Sequence, residues 1–254
     1  MPDVPAAALA AVIQELARAH ATSAPAPRAL PYLGLEHASG TGFHLLDALA
    51  ARGIFRKYEH VLDLGAGLGG TSRWLAARLG CEVVGTATSA AEAAAGSELT
   101  RRARLGAQVR LVPALAHALP FCDGRFTHVW ILEVLPRLAQ LERSLAEAVR
   151  VLRRGGTIAV QDLVATRAVS VPGWRFTHDA TVALRAAGFV DLEVRDRTSE
   201  IEERSSQVAA ARARLHARLR DESRLEAVLA EREALADALA TGALRVVQIL
   251  ARRP

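Results

Sequence analysis

The chain has 254 residues, 51% of them hydrophobic and 23% charged, which accommodates one substantial α/β domain and excludes an intrinsically disordered protein. No apolar run approaches the roughly 20 residues of a membrane helix. Residues 1–29 are interrupted by prolines at 2, 5, 25 and 27, so a secretory signal is not expected. The net charge of +5 comes from 32 basic and 27 acidic residues. Nearly all the basic side chains are arginine, and with the many alanines this points to a GC-rich bacterial coding sequence; it permits an anionic partner without requiring one. Cys81 and Cys122 belong to no CxxC or Cys/His cluster. Neither a disulfide framework nor a zinc site is expected, and a reducing cytoplasm is the natural compartment.

In chain order, Leu9, Val12, Ile13 and Leu16 recur at helical spacing and predict an amphipathic helix over 6–20. A proline-rich connector over 22–31 leads to HASG at 37–40, after which Thr41 is placed to cap a helix carrying Leu45, Leu46, Leu49 and Ala50. The next stretch, VLDLGAGLGGTSRWL at 61–75, organises the rest. A strand over 60–64 runs into Asp63 and into glycines at 65, 67, 69 and 70, and a helical pattern follows over 71–79. Strand, tight glycine turn and helix form the layout that brings backbone N–H groups close to a cofactor in an open α/β sheet.

Beyond it the pattern predicts a strand over 81–85, a helix over 90–105, a strand over 109–112 and a fourth strand from Phe126. In the helix, Glu92 and Glu98 are read as solvated partners of Arg101, Arg102 and Arg104. Leu141, Leu145, Ala148, Val149 and Leu152 space a helix over 138–152, with Arg153, Arg154, Gly155 and Gly156 read as its terminator. A strand over 157–162, a helix over 176–187, a strand over 189–196, a largely helical stretch over 202–240 and a last strand over 244–251 complete the chain. The arginine-rich ARARLHARLR at 211–220 reads as a solvated helix. With aromatic content of only 4%, stacking on RNA has no support and a nucleic-acid partner is disfavoured.

The glycine turn, together with LPFCDGRF (119–126), VWILEVL (129–135) and EAVRVLRRGGTIAVQD (147–162), resembles the class I S-adenosylmethionine-dependent methyltransferases. In order and spacing these segments are similar to the small-molecule branch of sarcosine, dimethylglycine and tocopherol methyltransferases, with the core of the match over 61–162. The resemblance implies a Rossmann-like seven-stranded mixed sheet with helices on both faces. An N-terminal helical cap at 1–58 would precede the α/β domain at 59–254, itself interrupted by a helical insertion at about 202–240.

The resemblance also implies a cofactor site. Asp63, Gly65, Ala66, Gly67 and Gly69 would surround S-adenosylmethionine, with Asp63 either holding its amino group or capping the glycine turn. Thr86, Ala87 and Thr88 fall where the family carries its ribose-binding acid, and Ala87 occupies the acidic position itself. Leu115 replaces the acid that marks the adenine, leaving Ala116 and His117 to line the slot. Thr127 replaces a third aspartate. Glu133 either positions the cofactor or its loop, or caps a helix start. Pro136 and Arg137 stand where the family has an acid and a histidine, reshaping the substrate mouth. Tyr32, His37, His44, Arg137 and Trp174 are the candidate substrate contacts, and His37 and His117 the candidate bases. The implied chemistry is in-line attack on the sulfonium methyl by a nitrogen, oxygen or carbon of a small organic acceptor. The alternative is a noncatalytic or repurposed protein of the same fold that supports a partner or holds another ligand, because polar anchors are missing at positions 87, 115 and 127. A homo-oligomer or a partner protein is left open.

Overall fold

The computed structural model describes residues 44–52, 59–177, 179–202 and 226–254. Seven strands make one sheet: β1 (His60–Leu64), β2 (Glu82–Ala87), β3 (Val109–Pro113), β4 (Phe126–Leu132), β5 (Leu152–Ala165), β6 (Val190–Asp196) and β7 (Leu244–Arg252). Their order is β3-β2-β1-β4-β5-β7-β6. The first five pair in parallel, while β7 runs antiparallel to both β5 and β6. The order reverses between β1 and β4, which makes the carboxyl ends of these two strands the switch point where open sheets of this kind bind ligands.

The helices are α1 (His44–Arg52), α2 (Gly70–Leu79), α3 (Ala90–Arg102), α4 (Leu141–Val151), α5 (Ala180–Ala186), α6 (Thr198–Glu202) and α7 (Glu226–Ala240), with a 3-10 turn at Leu135–Arg137. Alternation along the strands sends side chains to two layers. Leu62, Leu64, Val129 and Ile131 pack with Leu145 and Ala148 of α4 and Leu184 of α5. Val61, Val83 and Trp130 pack on the other face with Leu46 and Leu49 of α1 and Leu75 of α2. A third cluster seats Leu235 and Leu239 of α7 against Leu163, Leu244 and Val246. Continuous burial of β4 follows from this two-sided cover, as expected for a central parallel strand.

Several boundaries differ from the sequence pattern, each for a physical reason. The Arg153–Gly156 segment does not terminate a helix. α4 stops at Val151, Leu152 is already extended, and the four residues form the bulged beginning of β5. Gly155 N–H donates to the Arg253 carbonyl and Arg253 N–H to the Gly156 carbonyl, tying the bulge to the end of β7. The helix predicted from 176 begins only at Ala180, because the Asp179 carboxylate accepts from Thr181 N–H and sets the start there. Cys81 precedes β2 instead of opening it; it is fully buried, and burial pushes its thiol up to about 11. Among the described residues no helix is long and apolar enough to cross a membrane.

Candidate active site

The glycine turn leaves the carboxyl end of β1 and enters α2, held by Thr86 and Arg73 through three hydrogen bonds. Thr86 at the end of β2 accepts the Gly65 N–H on its hydroxyl at 2.9 Å, and its carbonyl accepts the Gly67 N–H at 3.2 Å. From below, the buried Arg73 guanidinium donates to the Leu68 carbonyl at 2.6 Å. The glycines serve different ends. At Gly65, with φ of 79°, a Cβ would lie 2.7 Å from Val134 Cγ1, so packing and conformation both demand glycine. A Cβ at Gly69 or Gly85 would likewise collide with Leu111. At Gly67, φ is 57° and among the described residues a Cβ would meet only the Glu92 carboxylate, 3.3 Å away at Oε1. Here the described residues leave more room beside the loop backbone than at Gly65 or Gly69.

Asp63 is 2% exposed and accepts the Ser72 hydroxyl at 2.6 Å. Burial raises its pKa to about 6, with the Ser72 hydroxyl and N–H pulling the other way. The carboxylate thus caps the first turn of α2, which has no side-chain cap from its own N-terminal residue. Ser72 was not singled out from sequence, although an acid at a strand end followed by a hydroxyl in the next helix's first turn is a legible pairing.

At the end of β2, Ala87 is 1% exposed and its carbonyl accepts Ala114 N–H at 2.9 Å. Thr88 is turned toward α3: its N–H and its hydroxyl both donate to Glu92 Oε2 at 2.8 Å. Glu92 is therefore no partner of the arginines. Glu98 alone pairs with Arg101 and Arg102, at 2.7 Å each. The overlooked signal was the S-x-x-E pattern of Ser89 and Glu92, a helix-start signature; Ser89 indeed accepts Glu92 N–H.

The loop after β3 turns back on itself between Leu115 and Ala118, placing the half-buried Ala116 and His117 at its tip and leaving Leu115 53% exposed. Its exit is clamped. Glu147 accepts Leu119 N–H, and Arg150 donates to the carbonyls of Leu119 and Phe121 and to Asp123 while pairing with Glu147.

Beyond β4, Glu133 is buried with φ of 58°, and its N–H donates to the Gln161 carbonyl. Asp162 of β5 caps the following turn, accepting Val134 and Leu135 N–H on Oδ2 and Leu163 N–H on Oδ1. Burial, with Glu133 adding to it, pushes Asp162 up to about 8 against those three donors. Two acids thus lie at the ends of β4 and β5, and the charge of Glu133 adds to the rise at Asp162.

Two expectations are corrected. Thr127 lies at the opposite end of the sheet, where its hydroxyl donates to the His60 carbonyl and accepts from His60 N–H. Its substitution for an acid removes nothing from the site; it joins β4 to β1 at their starts. Trp174 is 7% exposed, its ring stacked on Phe176 at 5.4 Å with the Arg137 guanidinium 5.5 Å from its centroid. The ring is part of the packing under α7 and presents no free face to a substrate. Arg137 reaches on to Glu231 of α7 at 3.4 Å. Tyr32 and His37 lie outside the described residues, and of His44 the structure gives its place as the first residue of α1. Among the described residues no group of His, Cys, Asp and Glu is arranged to hold a metal.

Residues 62–160 match the family model of a methyltransferase domain. The tocopherol O-methyltransferase of Arabidopsis thaliana is 33% identical over 105 residues, 41% of this chain and 30% of that protein. The sarcosine/dimethylglycine N-methyltransferase of Halorhodospira halochloris is 35% identical over 104 residues, 41% of this chain and 37% of that protein. The chain thus spans about a third of the length of these curated relatives. Among solved structures, the [4+2]-cyclase SpnF superposes with a TM-score of 0.69 at 24% identity, covering 83% of this chain and 80% of that one. A phosphoethanolamine N-methyltransferase of Haemonchus contortus in complex with S-adenosyl-L-methionine superposes with a TM-score of 0.73 at 17% identity, covering 88% and 56%. The strand order and the glycine turn at the switch point are thus those of a fold shared with these solved structures, and residues 62–160 are similar to a methyltransferase domain.

Proposed function

We propose that the protein transfers a methyl group from S-adenosylmethionine to a small organic acceptor. The observation that carries this reading is the glycine turn at the switch point, braced by Thr86 and open at Gly67, within the matched domain. The open backbone at Gly67, the acid of Asp63 and the apolar slot of Leu115 and Ala116 suit an ammonium-bearing, adenine-bearing ligand. When bound, that cofactor supplies an electrophilic methyl on its sulfonium: the acceptor's lone pair forms the new bond to carbon as the carbon–sulfur bond breaks. The chain's own part is to hold and to exclude. Asp63 orients the ammonium, Gly65 to Gly69 and Thr86 shape the wall, and Ala116 and His117 close the adenine side. Glu133 and Asp162 bound the mouth, where His117 and His37 are the candidates to take a proton from an acidic acceptor. An amine that binds neutral needs no such base. A cytoplasmic setting goes with the free, exposed Cys122.

A second reading keeps the fold and changes the chemistry. It is favoured by Ala87 and Leu115, which lack the usual acids, and by the fold's likeness to a cyclase. The two readings separate in one experiment. Purified protein is titrated calorimetrically with S-adenosylmethionine and S-adenosylhomocysteine, then incubated with S-adenosylmethionine and a panel of small amines, phenols and activated carbon acids while S-adenosylhomocysteine release is followed by mass spectrometry. Micromolar binding with acceptor-dependent release supports methyl transfer. Binding without release from any acceptor favours the repurposed pocket, and no binding at millimolar ligand refutes the methyltransferase reading.

A further inference from the structure

Resting on the cofactor reading above, we infer that Glu92 is the ribose-binding acid of this chain, taking over from α3 the task that Ala87 at the end of β2 cannot perform.

The inference starts from what a ribose needs. A vicinal diol is recognised by an acceptor held rigidly beside it, and in nucleotide-binding α/β folds that acceptor is an acid about 20 residues beyond the glycine turn. Ala87 stands at that distance with a buried methyl and no acceptor. Glu92 lies one helical turn further along the chain, in the first turn of α3.

A glutamate at this place ordinarily folds back on the N–H of the helix-capping residue. Here it reaches one residue beyond the cap. Oε2 accepts both the N–H and the hydroxyl of Thr88, while the capping Ser89 accepts the Glu92 N–H. Two bonds to Oε2 therefore fix the carboxylate over the end of β2, and the third anchors the Glu92 backbone at the helix start. The other oxygen, Oε1, faces the glycine turn, 3.3 Å from the place of a Cβ on Gly67. Among the described residues Oε1 accepts no hydrogen bond, and it has both lone pairs for ligand hydroxyls.

This placement also explains Gly67 and Thr88 together. A side chain at 67 would press on Oε1 and fill the space between turn and carboxylate. Thr88, by donating twice to Oε2, orients the acid so that Oε1 points inward. Glu92 is half-buried, so its desolvation is modest and the carboxylate keeps its accepting strength.

The test is a binding cycle on the full chain by titration calorimetry, with S-adenosylhomocysteine and its 2′-deoxy and 3′-deoxy analogues as probes. Wild type is expected to bind at least one deoxy analogue roughly 10- to 100-fold more weakly than S-adenosylhomocysteine, the range of a charge-assisted hydrogen bond. Glu92→Gln, which keeps the helix start and turns a donor toward Gly67, is expected to bind S-adenosylhomocysteine weaker by a similar factor. It should then discriminate the deoxy analogue less than about threefold, because the two losses concern one interaction. Thr88→Val is expected to fall between. Full discrimination surviving in Glu92→Gln would overturn the assignment and leave Glu92 a helix cap. Equal binding of all three ligands by wild type would overturn it without any variant. If wild type binds none of them, the cofactor reading itself fails, which is a different result from either.

Discussion

Asp63→Asn isolates the energetic consequence of burying an acid at the switch point. The carboxylate is 2% exposed, and its pKa rises on folding from 3.8 to about 6. The folded chain therefore holds the proton more tightly than the unfolded one, so the stability this group contributes is full below about pH 4 and is lost as pH rises through about 6. At about 1.4 kcal/mol for each pH unit between the two values, the ionised carboxylate costs about 3 kcal/mol of stability at neutral pH. Asparagine removes the charge and keeps the contacts: its oxygen can accept Ser72 N–H while its amide donates to the Ser72 hydroxyl. Urea denaturation of ligand-free wild type and variant, across a pH series, is expected to show the variant gaining about 3 kcal/mol relative to wild type between about pH 4 and pH 7. On the proposed function, which sets this acid against the cofactor's ammonium, the same variant is expected to bind S-adenosylhomocysteine more weakly. A stability difference that does not change with pH, or one that favours wild type increasingly at higher pH, would refute the reasoning.

His128, buried at the start of β4, behaves in the opposite sense. Burial lowers it from 6.5 to about 4, so it contributes stability that is lost as pH falls from about 6.5 toward 4. In denaturation at each pH, His128→Gln is expected to lack this acid-side loss of up to about 3 kcal/mol; a variant whose acid sensitivity equals wild type would show that the imidazole is already paired when protonated. The two groups oppose each other over the same window, so wild type alone reveals neither. Gly65→Ala is expected to lose about 2–5 kcal/mol in urea denaturation, combining left-handed backbone strain with overpacking on Val134. Adding Val134→Ala should recover the packing part and leave the strain; full recovery would mean that φ at 65 is not a constraint.

Sequence by itself determined the repeating β and α elements, the glycine turn and the acid before it. These are local facts: alternation, helical spacing and the conformations open only to glycine act over a few residues, and β1 falls where the pattern puts it. The family likeness supplied the seven-stranded mixed sheet, which no local pattern contains, and the structure gave its strand order. Tertiary structure decided what each polar residue faces. Thr127 and Ala87 both stand where the family resemblance expects acids, yet Thr127 lies at the start of its strand, clasping β1, and Ala87 at the end of its own beside the glycine turn, a difference that only position along the sheet decides. Trp174 changed from a platform to a packed ring because α7, some 60 positions on, closes over it with Arg137 and Glu231. Glu92 emerged from a helix surface as a site acid because Thr88 turns it toward Gly67, a contact between segments 25 positions apart in the chain. The direction of a carboxylate depends on neighbours brought together by folding, and a side chain three bonds from its backbone is not directed by local periodicity.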